Sequence, residues 1–183
     1  MRADRLELLA RVGAALEARN SPFAIIGAAA LAIRGVARTT FDIDLLSTDR
    51  SVLDPAVWAD VEGGGARVDV RKGDSDDPLA GVVRFDAEEA RPIDLVVGKH
   101  RWQQAIVERA PLEDVFVARM RVAEVPDLIL LKLDAGGTQD VWDIHQLLAI
   151  GDRDLAVAAV IERLADLPEP ARALWAEILG APR

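Results

Sequence analysis

Two rhythms of apolar and polar positions run along this chain. In residues 2–19, Leu6, Leu9, Val12 and Leu16 recur at helical spacing, which predicts an amphipathic helix. Asn20-Ser21-Pro22 stops it. Phe23-Ala24-Ile25-Ile26 is wholly apolar and predicts a buried strand. Gly27 follows, then a helix-forming run from Ala28 to Ile33 that ends at Gly35. The rhythm shortens at Phe41-Asp42-Ile43-Asp44-Leu45-Leu46, where apolar and acidic residues alternate. Side chains two apart on a strand share a face, so Asp42 and Asp44 are expected side by side, with Ile43 and Leu45 turned towards a core.

Further strands are predicted at Arg67–Arg71, Leu79–Phe85 and Arg91–Gly98, and a helix at Lys99–Ala110 with Trp102, Ile106 and Val107 inward. Asp54-Pro55 reads as a helix cap followed by its first residue, and Gly63-Gly64-Gly65 as its end. Leu112–Glu124 reads as extended. Pro126-Asp127 opens a helix through Leu133, Gly136-Gly137 breaks it, and Thr138 is the expected N-cap of a helix over residues 139–150. Two more helices are expected at Asp152–Ala165 and Glu169–Leu179. Strands fill the first two-thirds and helices the last third. The expected fold is therefore α/β (α+β), a mixed sheet flanked by helices, with residues 1–124 as core and 125–183 as a C-terminal helical segment packed on it.

Composition narrows the functional classes. Half of the 183 residues are hydrophobic, which suits a folded domain with a sizeable core. There is no cysteine, which excludes disulfides and thiolate chemistry and suits a cytoplasmic setting. The first twenty residues carry charges throughout, unlike a secretory signal, and no apolar run is long enough to span a bilayer. A net charge of −9 argues against loose, sequence-independent nucleic-acid binding, but not against a polyanion gripped by a few local cations and metal ions.

Chemistry concentrates on the acidic strand. Two carboxylates this close repel unless a cation lies between them or one is protonated, and hard cations such as Mg²⁺ suit such a pair. The plainer alternative is an edge strand with a solvated acidic face. Gly27 with Ala28 makes a strand–Gly–helix junction where backbone amides attract anions. Arg34 to Thr40 is a basic, hydroxyl-bearing loop, in which Arg38 would pair with a carboxylate or reach a nucleotide. Asp94 stands alone among apolar residues, where burial demands a cationic or hydrogen-bonding partner; it is either a strand-end residue facing solvent or the third member of a carboxylate cradle. Asp74, Asp76 and Asp77 read as a solvated loop, His145 as a surface or packed histidine, and Lys99-His100-Arg101 as a helix start. Trp58, Trp102, Trp142 and Trp175 are expected in the core.

Gly27-Ala28, Arg38-Thr39-Thr40, Asp42-Ile43-Asp44 and Asp94 together resemble the DNA-polymerase-β-like nucleotidyltransferase superfamily. The likeness is to its small bacterial branch of minimal nucleotidyltransferases and AbiEii-like toxins. Lys132, Asp140 and Asp143 match the family's later helical motif, so the resemblance spans about Phe23 to Leu148. Ala28 departs from the usual second Gly or Ser, and Gln139 stands where a Lys is common.

The resemblance implies a metal-dependent transfer of NMP from an NTP to an RNA end or a protein hydroxyl, with a toxin–antitoxin or abortive-infection role. It implies Mg²⁺ (or Mn²⁺) on Asp42, Asp44 and Asp94, with Asp94 nearest the nucleophile. Gly27, Ala28, Arg38 and Thr40 would bind the nucleotide. Lys132 would neutralise the triphosphate, or would simply be a helix-surface lysine, and Asp140 and Asp143 would pair with Lys132 or Arg38. A cognate toxin or antitoxin is the implied partner. The alternative is a catalytically inactive nucleotidyltransferase-fold protein that binds a nucleotide or a partner.

Overall fold

The computed structural model describes residues 4–37, 42–88, 90–115 and 118–180. Arg38 and Thr40, both expected at the site, lie outside the described residues, as do Thr39 and Phe41. The chain divides into two compact units, Met1–Ala29 with Thr39–Ala123, and Ala30–Arg38 with Glu124–Arg183.

The first unit opens with α1 (Asp4–Ala18), which buries Leu8, Leu9, Val12 and Leu16. Asn20, in the left-handed region at φ 54°, turns the chain into β1 (Phe23–Ile26), buried along its whole length. Then come the start of α2 (Gly27–Ile33), β2 (Ile43–Ser47), two 3₁₀ turns, α3 (Ala59–Gly63), β3 (Arg67–Lys72), β4 (Gly81–Asp86), β5 (Ile93–Val97) and α4 (Arg101–Arg109). Asp54 caps the second 3₁₀ turn by accepting from the Ala56 amide, with Pro55 as its first residue. A separate antiparallel pair, β6 (Leu112–Val115) and β7 (Ala118–Arg121), leads to a bridge between Val122 and Ile25.

The five strands form one mixed sheet in the order β1-β2-β5-β4-β3. Within this sheet β2 and β5 pair in parallel, and the other three pairings are antiparallel. β2 is thus an interior strand, and the edge-strand alternative for the acidic stretch does not hold. Period-2 alternation gives the sheet a dry face of Ile43, Leu45, Val83, Phe85, Ile93, Leu95 and Val97. α4 lies against β1 and β2, and its Trp102, Ile106 and Val107 are buried as their spacing predicts. Trp58 meets Phe85 edge to face at 4.7 Å between ring centroids and donates from its indole to the Val52 carbonyl at 2.8 Å. Such a pair adds about 0.5–1.5 kcal/mol beyond its area burial. With this face dry, every alternate residue of β2, β4 and β5 is left for the other.

The second unit contains α5 (Val125–Ala135), α6 (Thr138–Ala149), α7 (Arg153–Arg163) and α8 (Glu169–Gly180). α5 lies against the other three. Gly136 takes the left-handed conformation that ends α5, at φ 67°. Gly137 occupies the N-cap of α6 where Thr138 was expected, because the Asp140 carboxylate already accepts from the Gly137 amide at 3.1 Å. Trp58, Trp102 and Trp175 are buried, whereas Trp142 is 47% exposed, against expectation. The buried stripe of α6 is Asp143, Ile144, Leu147 and Leu148, and Trp142 lies beside it on the outward turn.

Candidate active site

The wet face of the sheet carries a row of charges set by register. Asp44 on β2 is the direct partner of Asp94 on β5, Asp94 of Arg84 on β4, and Arg84 of Asp69 on β3. Two carboxylates thus stand opposite each other on neighbouring strands, a destabilising pairing unless positive charge compensates it. Asp42 precedes the first hydrogen-bonded residue of β2, one position outside the strand that alternation predicted. The strand begins where the Ile43 amide meets the Pro92 carbonyl at 2.9 Å.

Gly27 closes this end of the site. It is left-handed at φ 58°, and a Cβ there would fall inside the Asp44 carboxylate. Because Asp44 pairs with Ile26, the residue just before that glycine, the carboxylate lies against bare backbone. Ala28 follows, half-exposed in the first turn of α2.

Arg84 was not singled out by sequence. Its guanidinium donates from Nη1 to Asp94 Oδ2 at 2.8 Å, lies 3.4 Å from Asp86 Oδ2 through Nε, and 3.7 Å from Asp42 Oδ2 through Nη2. Burial pushes the Asp94 carboxyl above its usual range; the Arg84 charge and hydrogen bond oppose this, and Asp42 and Asp86 add to it. Arg84 is shifted further up by Asp94 first of all, so it stays charged. The only sequence signal for Arg84 was its alternation with Val83 and Phe85. Nothing local announced that it would face Asp94.

The divalent metal implied by the resemblance fits these residues in part. Hard oxygen donors share one face, and the Asp44–Asp94 pairing creates a demand for positive charge. Yet among the described residues no group of three or more Asp, Glu or His side chains is arranged to hold a metal ion. At Asp94 one carboxylate oxygen, Oδ2, accepts from Arg84.

Above the row lies a cavity of about 540 Å³, lined by Asp44, Asp94, Arg84, Asp69, Arg71 and Lys72 among others. That volume suits a small ligand. A second cavity of about 750 Å³ shares Lys72 and Gly73 with it and adds Arg50, Lys99 and His100. Lys99 Nζ also reaches the Asp74 and Ser75 carbonyls, at 3.4 and 3.1 Å.

Lys132 belongs to the second unit, where it is committed to Asp140 at 2.7 Å and to the fully buried Asp143 at 2.9 Å. This is the structural pairing expected of those two acids. Burial alone would lower the Lys132 pKa, but the hydrogen bonds and charges of Asp140 and Asp143 outweigh it and raise it. His145 is exposed on α6.

Neither a family profile nor a curated protein matches the sequence. Solved structures do match the fold. The solution structure of the antibiotic-resistance factor ANT(2'')-Ia superposes with a TM-score of 0.55 at 20% identity, over 90% of this chain and 95% of that one. Its crystal structure with adenylyl-2''-tobramycin gives 0.55 at 16% identity, over 88% and 98%. An antigenic nucleotidyltransferase-like protein from Paracoccidioides brasiliensis gives 0.52 at 14% identity, over 93% of each chain. The mixed sheet flanked by helices is the nucleotidyltransferase fold.

Proposed function

We propose that this protein is a metal-dependent nucleotidyltransferase that moves NMP from an NTP to an acceptor hydroxyl. The observation that carries the reading is the in-register Asp44–Asp94 pair, with Asp42 beside it and Gly27 against Asp44, at one edge of an open cavity. Like charges are set opposite each other on a rigid sheet only at a cost, and a bound divalent cation would turn that cost into binding.

In this reading the acceptor oxygen forms a bond to the α-phosphorus as the α–β bridging bond breaks. Pyrophosphate leaves with the electron pair, and the hydroxyl proton passes to Asp94, the carboxylate opposite Asp44 at the cavity. Asp42 and Asp44 would hold Mg²⁺ or Mn²⁺, which when bound neutralises charge on the phosphates and the reacting oxygens. The backbone at Gly27 and Ala28 would face the triphosphate. Arg38 and Thr40 are carried as nucleotide ligands by the family resemblance alone, while Lys132 is kept to its ion pairs with Asp140 and Asp143.

For the acceptor, the cations Arg50, Lys72 and Lys99 around the adjoining cavity favour a phosphate-bearing RNA end over a protein hydroxyl. ANT(2'')-Ia in complex with adenylyl-2''-tobramycin makes a small-molecule hydroxyl a third arm of the test. The AbiEii-like resemblance extends the proposal to a growth-arresting toxin with a cognate antitoxin; arrest on expression, relieved by Asp44→Asn, is its readout.

The deciding experiment incubates the protein with each α-³²P NTP, Mg²⁺ or Mn²⁺, and RNA, lysate protein or an aminoglycoside, beside Asp42→Asn and Asp44→Asn. Label in one acceptor that vanishes in both variants is the expected result. The contact of Arg84 with Asp94 favours a second reading, a fold that binds nucleotide without turnover. It is supported if no acceptor takes label while Mg²⁺-dependent NTP binding persists and is lost in Asp44→Asn.

A further inference from the structure

We propose that the acceptor is the 3′ end of a single-stranded RNA, with its backbone phosphates held by Arg50, Lys72 and Lys99 beyond the ends of β2 and β5. The inference rests on the nucleotidyltransferase reading and names the acceptor class and the residues that bind it.

Gly27 and this cation cluster flank opposite ends of one strand. Gly27 follows Ile26, the partner of Asp44 at the start of β2. Arg50 opens the 3₁₀ turn that follows β2, and Lys99 lies just past the end of β5, the parallel neighbour of β2. A triphosphate at Gly27 therefore leaves the cluster to a different anion. Between the acids and the cations the wet face turns apolar. Val96 comes next after Asp94 on that face, and its direct partner on β4 is Val82; both are half-buried. With Leu79 they line the cavity of about 540 Å³. Lys72 lines this cavity and the adjoining one of about 750 Å³, to which Arg50, Lys99 and His100 also belong. Along β5 and just past it, an acid, an apolar shelf and a cation succeed one another at Asp94, Val96 and Lys99. The 3′ terminus of an RNA presents the matching chemistry in the same order: a hydroxyl, the sugar and base, then a phosphate.

The cluster keeps its positive charge. Its two acids are turned onto their own turns, where Asp54 accepts from the Ala56 amide at 3.0 Å and Asp74 from the Asp76 and Asp77 amides at 2.8 and 3.1 Å. Lys99 donates to the neutral Asp74 and Ser75 carbonyls, which ties that loop to the end of β5 without cancelling the ammonium. Arg50 and Lys72 are exposed, and neither has an ion pair among the described residues. His100, exposed in the same cavity, lies parallel to the Trp102 indole, with centroids 6.5 Å apart and planes within 9°. Cations with a flat aromatic ring among them suit a single strand, whose bases stack while its phosphates pair. A cationic aminoglycoside would meet repulsion here, and a protein hydroxyl would leave these cations without use.

The test measures RNA binding without turnover. Fluorescence anisotropy follows a short single-stranded RNA, labelled with fluorescein at its 5′ end and free at its 3′ hydroxyl, over a salt series. Wild type is compared with Arg50→Gln/Lys72→Gln and with a charge-matched control on α7 and α8, Arg153→Gln/Arg172→Gln. Each phosphate contact to a single strand adds about 0.7 to the slope of log K against log salt, so losing two should lower it by about 1.4. Affinity at low salt should fall about tenfold or more in the first variant, with the control and Mg²⁺-dependent NTP binding unchanged. No binding by wild type, an equal loss in the control, or a loss of NTP binding in place of RNA binding overturns the inference. So does label that enters lysate protein or the aminoglycoside but not RNA, which leaves the transferase reading intact. RNA bound as expected while no acceptor takes label overturns the transferase reading and keeps Arg50 and Lys72 as an RNA site.

Discussion

The protein holds charge in two contrasting ways. In the helical unit, Lys132 is matched by Asp140 and by Asp143, which is 0% exposed, and Arg163 meets the equally buried Asp127 at 3.0 Å. In the sheet unit, Arg84 stands among Asp42, Asp86 and Asp94, Arg67 also meets Asp86 at 3.1 Å, and Asp44 lies directly opposite Asp94 beside an open cavity. The helical clusters match a part-exposed cation to a fully buried carboxylate, Asp143 or Asp127. The sheet cluster sets two acids, Asp44 and Asp94, opposite each other at a place a ligand can reach. Buried pairs of the first kind hold packed elements in one arrangement, and removing one partner leaves a charge stranded. Like charges set opposite each other in this way are a means of binding a cation.

The contrast is most directly broken by mutation. Lys132→Met takes the cation away from the buried Asp143, which also accepts from Gln139, and should cost about 3–5 kcal/mol in urea unfolding followed by helical signal. A cost under about 1 kcal/mol would mean the cluster is not structural. Asp44→Asn should do the reverse, lowering label transfer by about a hundredfold or more at an unchanged unfolding midpoint. Gly27→Ala should fall between the two. Its left-handed φ and the Asp44 carboxylate in the way should cost about 1–3 kcal/mol and weaken nucleotide binding together.

Alkaline titration sharpens the comparison further. The folded pKa of Lys132 is raised above its ordinary 10.5, so its contribution is fully present below that value and is lost as pH rises through the folded value. Thermal melts of the wild type should therefore hold up to that range and then fall, and Lys132→Met should lack this component of the fall. The smallest effect is expected at Leu155 on α7, 69% exposed, which should be replaceable by Gln within about 0.5 kcal/mol.

Much of the fold was legible because its causes are local. Alternation located β2 and β5, and Gly136 in its left-handed turn marked the end of α5. Asp42, Asp44, Asp94 and Gly27 were singled out as candidates because an acid amid apolar neighbours and a glycine at a strand–helix junction are unusual on their own terms. Arg84 was missed for the same reason in reverse: an arginine alternating with valine and phenylalanine looks like any outward residue of a half-buried strand. Trp142 was misjudged because hydrophobicity ranks a tryptophan inward, whereas its place on the helix is decided by the stripe formed with Ile144, Leu147 and Leu148.

By itself, then, the chain determined which residues alternate, where its helices stop and which acids needed an explanation, since propensity, turn chemistry and period act over a few residues. Only the tertiary structure decided that Asp44, Asp94, Arg84 and Asp69 form one row. Those four lie on strands whose order in the sheet differs from their order in the chain. A shift of one residue in any pairing would turn a whole strand over and send its charges into the core. Burial of the opposite face, with Ile43, Leu45, Phe85, Ile93 and Leu95 all fully enclosed, selects the register that brings the charges together.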